Sequence, residues 1–140
     1  MNMYRHHKTA FFIAALLLTM LTNCGTNNNK ASKYEQEAAK KARYYYEQLL
    51  KEHYNYCIKG EFRSQHLPVS YQKQLKLNLE KFSKARFKDQ AKIDSITISN
   101  TSALTKDSIV NVYLVLHRAN KTKDQIIARM IKYKDRWLIL

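Results

Sequence analysis

Val110-Asn111-Val112-Tyr113-Leu114-Val115-Leu116-His117 is the stretch whose reading decides the fold. Val110, Val112, Leu114 and Leu116 recur at every second position, the period at which an extended chain points its side chains to one side of a sheet. Asn111, Tyr113 and His117 face the other way with Val115, so the second face is mixed rather than plainly solvated. The same twofold period and β-branched composition begin at Ile93, where Ile96 and Ile98 alternate with Thr97 and Ser99 in a strand running to Leu104. Thr105 to Asp107 turns that strand into the central one. Asn120 to Lys123 then turns the chain into a third strand over Gln125 to Tyr133, with Ile126, Ala128 and Met130 on one side and Ile127, Arg129, Ile131 and Tyr133 on the other. Lys134-Asp135 turns it again into Trp137 to Leu140. Connections this short join antiparallel neighbours, so a meander of about four strands is predicted.

Upstream of the sheet the apolar period is helical. Ser32-Lys33-Tyr34-Glu35 fits a capping box, in which the Ser hydroxyl and the Glu carboxylate each satisfy a backbone N–H at a helix start. Ala38, Ala42, Tyr45, Leu49, His53 and Tyr56 follow at three- and four-residue steps, widened by Tyr46, Leu50 and Cys57, and Gly60 supplies the stop. Glu37 with Lys41 and Glu47 with Lys51 form i, i+4 pairs on the opposite, solvated face. After a loop over Glu61 to Leu67, Pro68 or Ser70 opens a second helix to Phe87, whose predicted buried stripe is Tyr71, Leu75, Leu79, Phe82 and Ala85. Lys73, Lys76, Lys84 and Lys88 crowd the remainder with Glu80 the one acid among them, a positive ridge suited to an anionic surface. The expected architecture is α+β: two N-terminal helices packed on a curled antiparallel sheet of about four strands.

The first two dozen residues carry an address. Arg5 and Lys8 precede an apolar run from Ala10 to Leu21, interrupted by Thr19. The run is short for a bilayer span, which needs about 20 apolar residues, and suits the core of a secretory signal. Leu21-Thr22-Asn23-Cys24 resembles a bacterial lipoprotein lipobox, which implies cleavage before Cys24 and thioether lipidation of its sulfur. An ordinary cleaved signal and a retained anchor are the alternatives. On the lipoprotein reading residues 1–23 are the signal peptide, 24–31 are the lipidated cysteine and a short tether, and 32–140 are a single domain. Its setting is then the cell envelope, anchored in the outer membrane of a Gram-negative bacterium.

Composition bounds the partners. The chain has 140 residues with 25 basic and 11 acidic side chains, and loss of Arg5 and Lys8 with the first 23 residues leaves 117 residues at a formal net charge of +12. In the cytosol that charge would suggest nucleic acid. Outside it, an anionic lipid, a glycan or an acidic protein is the expected partner, beside the membrane that holds the lipid anchor, with a charge that serves only solubility as the alternative, and no nucleic acid is expected. If Cys24 carries lipid, Cys57 has no partner within the chain for a disulfide.

Two stretches carry a further resemblance. Tyr56-Cys57-Ile58-Lys59-Gly60-Glu61-Phe62 looks like a helix exit, and Lys132-Tyr133-Lys134-Asp135-Arg136-Trp137-Leu138-Ile139 looks like a closing hairpin, of small bacterial lipoproteins in the nuclear transport factor two-like superfamily. The resemblance implies a cone-shaped, cystatin-like α+β roll over Ser32 to Leu140, with Trp137 packed beneath the sheet. Asp135-Arg136 stands where Asn-Gly or Asp-Gly would favour a tight turn, which leaves the turn type open.

Enzymes of that superfamily, such as ketosteroid isomerases and dehydratases, do acid–base chemistry with Asp, Tyr or His projecting into the cone. The residues here that could line such a pocket are His53, Cys57, Tyr113, His117 and Tyr133, and nothing in their spacing constitutes a motif. His53 and Cys57 have the helical step of a nucleophile pair but no third group to orient them. No metal set arises from the scattered His53, His66 and His117, no cofactor is expected, and a chain with two glycines has no Gly-rich phosphate loop. In the run Tyr44-Tyr45-Tyr46, one ring is expected in the core and the others at its rim. The function expected is a membrane-anchored, non-enzymatic binding domain for an anionic surface, a protein partner or a small ligand; the alternative is a pocket enzyme of the same fold.

Overall fold

The structure is a computed structural model that describes residues 31–88, 90–105 and 108–140. The expected signal peptide, the lipidated Cys24 and the tether before Ala31 lie outside the described residues, as do positions 106 and 107 of the first strand connection.

Helix α1 spans Lys33–Leu50 and starts as its sequence requires: Glu35 N–H donates to Ser32 Oγ at 3.2 Å, and Ser32 N–H donates to the Glu35 carboxylate at 3.0 Å. That Ser32 N–H, with the Ser32 hydroxyl, holds the Glu35 carboxyl below its ordinary pKa. Ala38, Ala39, Ala42, Tyr45 and Leu49 form the buried face, and the three alanines let the helix lie close to the sheet. Tyr45 is the core member of the tyrosine run, with Tyr44 and Tyr46 partly buried beside it. Glu47 pairs with Arg43 at 2.7 Å rather than with Lys51, because the helix ends before Lys51 can complete the expected pair.

The helix predicted to continue to Gly60 breaks after Leu50. Glu52 takes a left-handed conformation at φ 62°, and His53 N–H reaches back five residues to the Gln48 carbonyl at 2.9 Å. A separate helix α2 then runs over Tyr54–Lys59, so three helices precede the sheet instead of two. The break moves the buried phase by one residue: Tyr54, Cys57 and Ile58 point inward while His53 and Tyr56 are exposed. Gly60 ends α2 at φ −89°, a conformation open to any residue, so its role is not conformational freedom. A Cβ there would meet the Tyr45 ring at 2.1 Å; glycine is needed because an aromatic ring lies against its backbone.

A 3₁₀ turn over Arg63–His66 leads to α3, Val69–Ser83, which continues as a π-helical turn through Lys84–Lys88. The turn carries Phe87 into the core. Leu75 and Leu79 of the expected stripe are partly buried, whereas Tyr71, Phe82 and Ala85 are exposed, because α3 packs mainly on α2 and leaves the sheet to α1.

The strands fall where the period placed them: β1 Ile93–Thr105, β2 Ile109–Arg118, β3 Lys123–Tyr133 and β4 Arg136–Ile139, in antiparallel order β1-β2-β3-β4. Val110, Val112, Leu114 and Leu116 are fully buried beneath α1 with Ala128, Met130 and Trp137. Register shifts at Asp94, Ser99 and Leu104 curl the edge strand β1. The twofold period also carries Arg118 inward, where Nε and Nη2 donate to Asp124 at 2.9 and 2.5 Å and Nη1 donates to the Ala91 carbonyl at 2.7 Å. The β3–β4 turn has Lys134 at φ 46° and Asp135 at φ 59°, the two positive angles of a type I′ hairpin turn without a glycine. Beyond β4, Phe62 N–H donates to Ile139 O and Ile139 N–H to Gly60 O, both at 2.7 Å, which covers the second sheet edge.

Candidate binding cavity and basic helix

The three helices enclose a cavity of about 210 Å³ against the end of β4, well above the ~10–15 Å³ that admits one water. α1 contributes Tyr45, Tyr46 and Leu49, α2 contributes Cys57 and Ile58, and α3 contributes Leu75, Leu79 and Phe82. Glu61 is the one acid on its wall, and that carboxylate accepts the Ser64 N–H at 3.0 Å. The weak acids at the cavity are shifted by their own burial. Burial pushes the Cys57 thiol up to about 11 and raises the phenols of Tyr46 and Tyr45. At neutral pH the Cys57 thiolate is on the order of one part in ten thousand. Its Sγ–H points to the Tyr45 carbonyl at 3.5 Å.

In architecture the domain is similar to a solved Campylobacter jejuni protein described as a candidate NTF2-like transpeptidase, with a TM-score of 0.60 over 72% of this chain and 94% of that one at 12% identity. The chain has the NTF2-like fold. At that identity the likeness concerns the fold, and the activity in the other protein's description stays with that protein. No protein-family model and no curated protein matches the sequence.

Of the five residues proposed from sequence for an NTF2-like pocket, the structure brings one, Cys57, to the cavity. His53 sits exposed at the helix break with Nδ1 2.7 Å from Gln48 Oε1, whereas Cys57 is buried with its Sγ on the Tyr45 carbonyl. Tyr113 and His117 lie on the sheet face turned away from α1, where His117 Nε2 meets Thr97 Oγ1 at 2.8 Å. Tyr133 stacks edge-on with Phe62 at 5.3 Å and His66 at 6.2 Å, on the 3₁₀ turn. The reason is the one-residue phase shift at the break together with the strand alternation, which gives Tyr113 and His117 the face opposite Leu114. Among the described residues no three His, Cys, Asp or Glu side chains gather as a metal set.

The lysine ridge lies on α3 and its π-helical extension. Lys73, Lys84 and Lys88 are exposed and Lys76 partly so. Lys76 pairs with Glu80 at 3.7 Å and Lys88 with Glu52 at 2.5 Å, both in solvent. Across Val69 to Lys88 stand six basic residues against one acid. What the helical stripe missed is apolar. Val69, Tyr71, Leu77 and Phe82 are each at least half exposed, four of the seven large hydrophobic residues so exposed among the described residues. Val69, Lys73, Leu77 and Lys81 follow one another at i, i+4, an alternation that was visible in the sequence once the opposite face was known to be buried.

Proposed function

We propose that this chain is a lipid-anchored, non-catalytic domain that lies against an anionic membrane surface through α3, tethered there by Cys24. The observation that supports it is the interleaving on one helix of exposed apolar side chains with six cations, the composition of a helix that sits in a headgroup layer. Lysines contribute about 1 kcal/mol each beside anionic lipid, and their stems can cover the apolar residues between them. The exposed pairs Lys76–Glu80 and Lys88–Glu52 are worth little in water and yield readily to lipid phosphate. The setting proposed is the cell envelope, with the anchor in the outer membrane of a Gram-negative bacterium. Catalysis in the cavity is the weaker reading, since its one acid is held by Ser64 N–H and its one thiol is protonated.

A domain beginning at Ala31, mixed with vesicles of phosphatidylglycerol and phosphatidylcholine, should sediment with them at low salt and release as salt rises. Replacing Lys73, Lys76, Lys84 and Lys88 by Gln should abolish this without lowering the unfolding midpoint, and Leu77→Gln should lower the salt at which release occurs. Equal sedimentation of the quadruple variant and its parent would refute the reading. In cells, Cys24→Ala should leave the membrane fraction; continued cleavage and membrane retention would refute the anchor.

A further inference from the structure

A groove of about 720 Å³ opens on a different part of the surface, between α1, α2 and the β3–β4 turn. Tyr44 and Tyr56 line it, and four cations approach from three elements: Lys40 and Lys41 on α1, Lys59 on α2 and Arg136 at the start of β4. Two carboxylates, Glu37 and Asp135, lie among them. From sequence the tyrosine run is expected to put one ring in the core and the others at its rim; the fold brings Tyr44 to the same groove as Tyr56, which the helix break turned outward.

The groove is built rather than incidental. Its floor is the Tyr45 ring lying on Gly60 and fastened by its hydroxyl to the Trp137 carbonyl at 3.0 Å. Its third wall is a hairpin turn in which Lys134 and Asp135, neither a glycine, both hold positive φ. Lys41 Nζ stands over the Tyr44 ring at 4.5 Å, so on that face the groove offers charge, while the exposed Tyr56 offers an aromatic face. Aromatic faces suit the C–H side of a sugar ring, carboxylates suit its hydroxyls, and lysines and arginine suit an acidic substituent. An extended peptide would need a free strand edge, and the edge of β4 is already covered by residues 60–62.

We infer that this groove binds an acidic saccharide, a sugar ring against Tyr56 and its carboxylates toward Lys40, Lys41, Lys59 and Arg136. The site is independent of α3 and of the membrane reading. The test uses the full chain in detergent, titrated with hexagalacturonate, with cellohexaose as a neutral saccharide and with octathymidylate and octaglutamate as anions of other classes. Hexagalacturonate should bind best and weaken with salt. Tyr56→Ala should weaken it about two- to tenfold, the range of one aromatic contact, and Lys59→Gln should reduce the salt dependence; both side chains are exposed, and matching thermal melts would show the fold intact. Cellohexaose binding as tightly, or neither variant changing affinity, overturns the site. Octathymidylate or octaglutamate binding as tightly as the saccharide overturns the ligand class, leaving a cationic surface without selectivity.

Discussion

The Tyr45 hydroxyl donates to the Trp137 carbonyl at 3.0 Å, joining two residues 92 apart in sequence inside the core. One side chain thereby ties α1 to the last strand while its ring packs against Gly60 between α2 and the 3₁₀ turn. Removing the hydroxyl leaves a buried carbonyl unpaired, which costs about 1–3 kcal/mol. Tyr45→Phe should lower stability by that amount in denaturant unfolding. Gly60→Ala forces the pinned ring aside and should cost about 1–3 kcal/mol by overpacking. In a Tyr45→Ala background the same Gly60→Ala change should cost almost nothing, and a double-mutant cycle without coupling would contradict the contact.

Trp137 is buried with its ring 4.5 Å from that of Tyr34, edge to face. Trp137→Ala should cost about 3–5 kcal/mol because helix and sheet cannot both collapse into the space. Its Nε1 is buried with no hydrogen-bond partner among the described residues. Trp137→Phe therefore forfeits volume but no hydrogen bond, and should cost well under half as much as the alanine change. Equal losses for the two variants would mean that Nε1 is paired in solution.

The sheet was legible in the sequence because alternation needs only near neighbours: all four strands and the inward set Val110 to Leu116 follow from a period of two. The capping box was legible for the same reason. The cavity was not. Its walls come from three helices whose phases are set by the break at Glu52, and a positive φ at a glutamate has no local signature. Gly60 was legible as a stop but not as the seat of a tyrosine ring, since that contact spans two helices. Nor could local pattern place Tyr113 and His117 relative to Cys57, because strand and helix phases meet only in the packed domain.

Arg118 is the inward position that alternation predicts after Leu116, and a cation there needs full compensation. Asp124 supplies the charge, and the Ala91 and Arg86 carbonyls take further N–H groups at 2.7 and 3.1 Å, pinning the chain as it enters β1. Asp124→Asn leaves the guanidinium buried without its counter-ion and should cost about 3–5 kcal/mol, whereas Arg118→Met, of similar length and apolar, should cost less. The opposite order of these two losses would show that the carbonyl contacts outweigh the ion pair.

Cys57 gives the domain a pH dependence on the alkaline side. Its ordinary pKa of 9.0 is pushed up to about 11 by burial, so between these values the unfolded chain has lost a proton that the folded one keeps. Stability is therefore complete below pH 9 and declines as pH rises toward 11, with the buried phenols of Tyr45 and Tyr46 adding to the decline in the same direction above 10. In a Cys24→Ser chain, the unfolding midpoint in denaturant should fall between pH 9 and pH 10.5, and Cys57→Ala should make that fall shallower. Cys57 should also react with a thiol reagent at neutral pH far more slowly than after unfolding, and an apolar molecule occupying the cavity should slow it further. Rapid modification of the folded chain at pH 7 would mean that the cavity is wet and the thiol ionised.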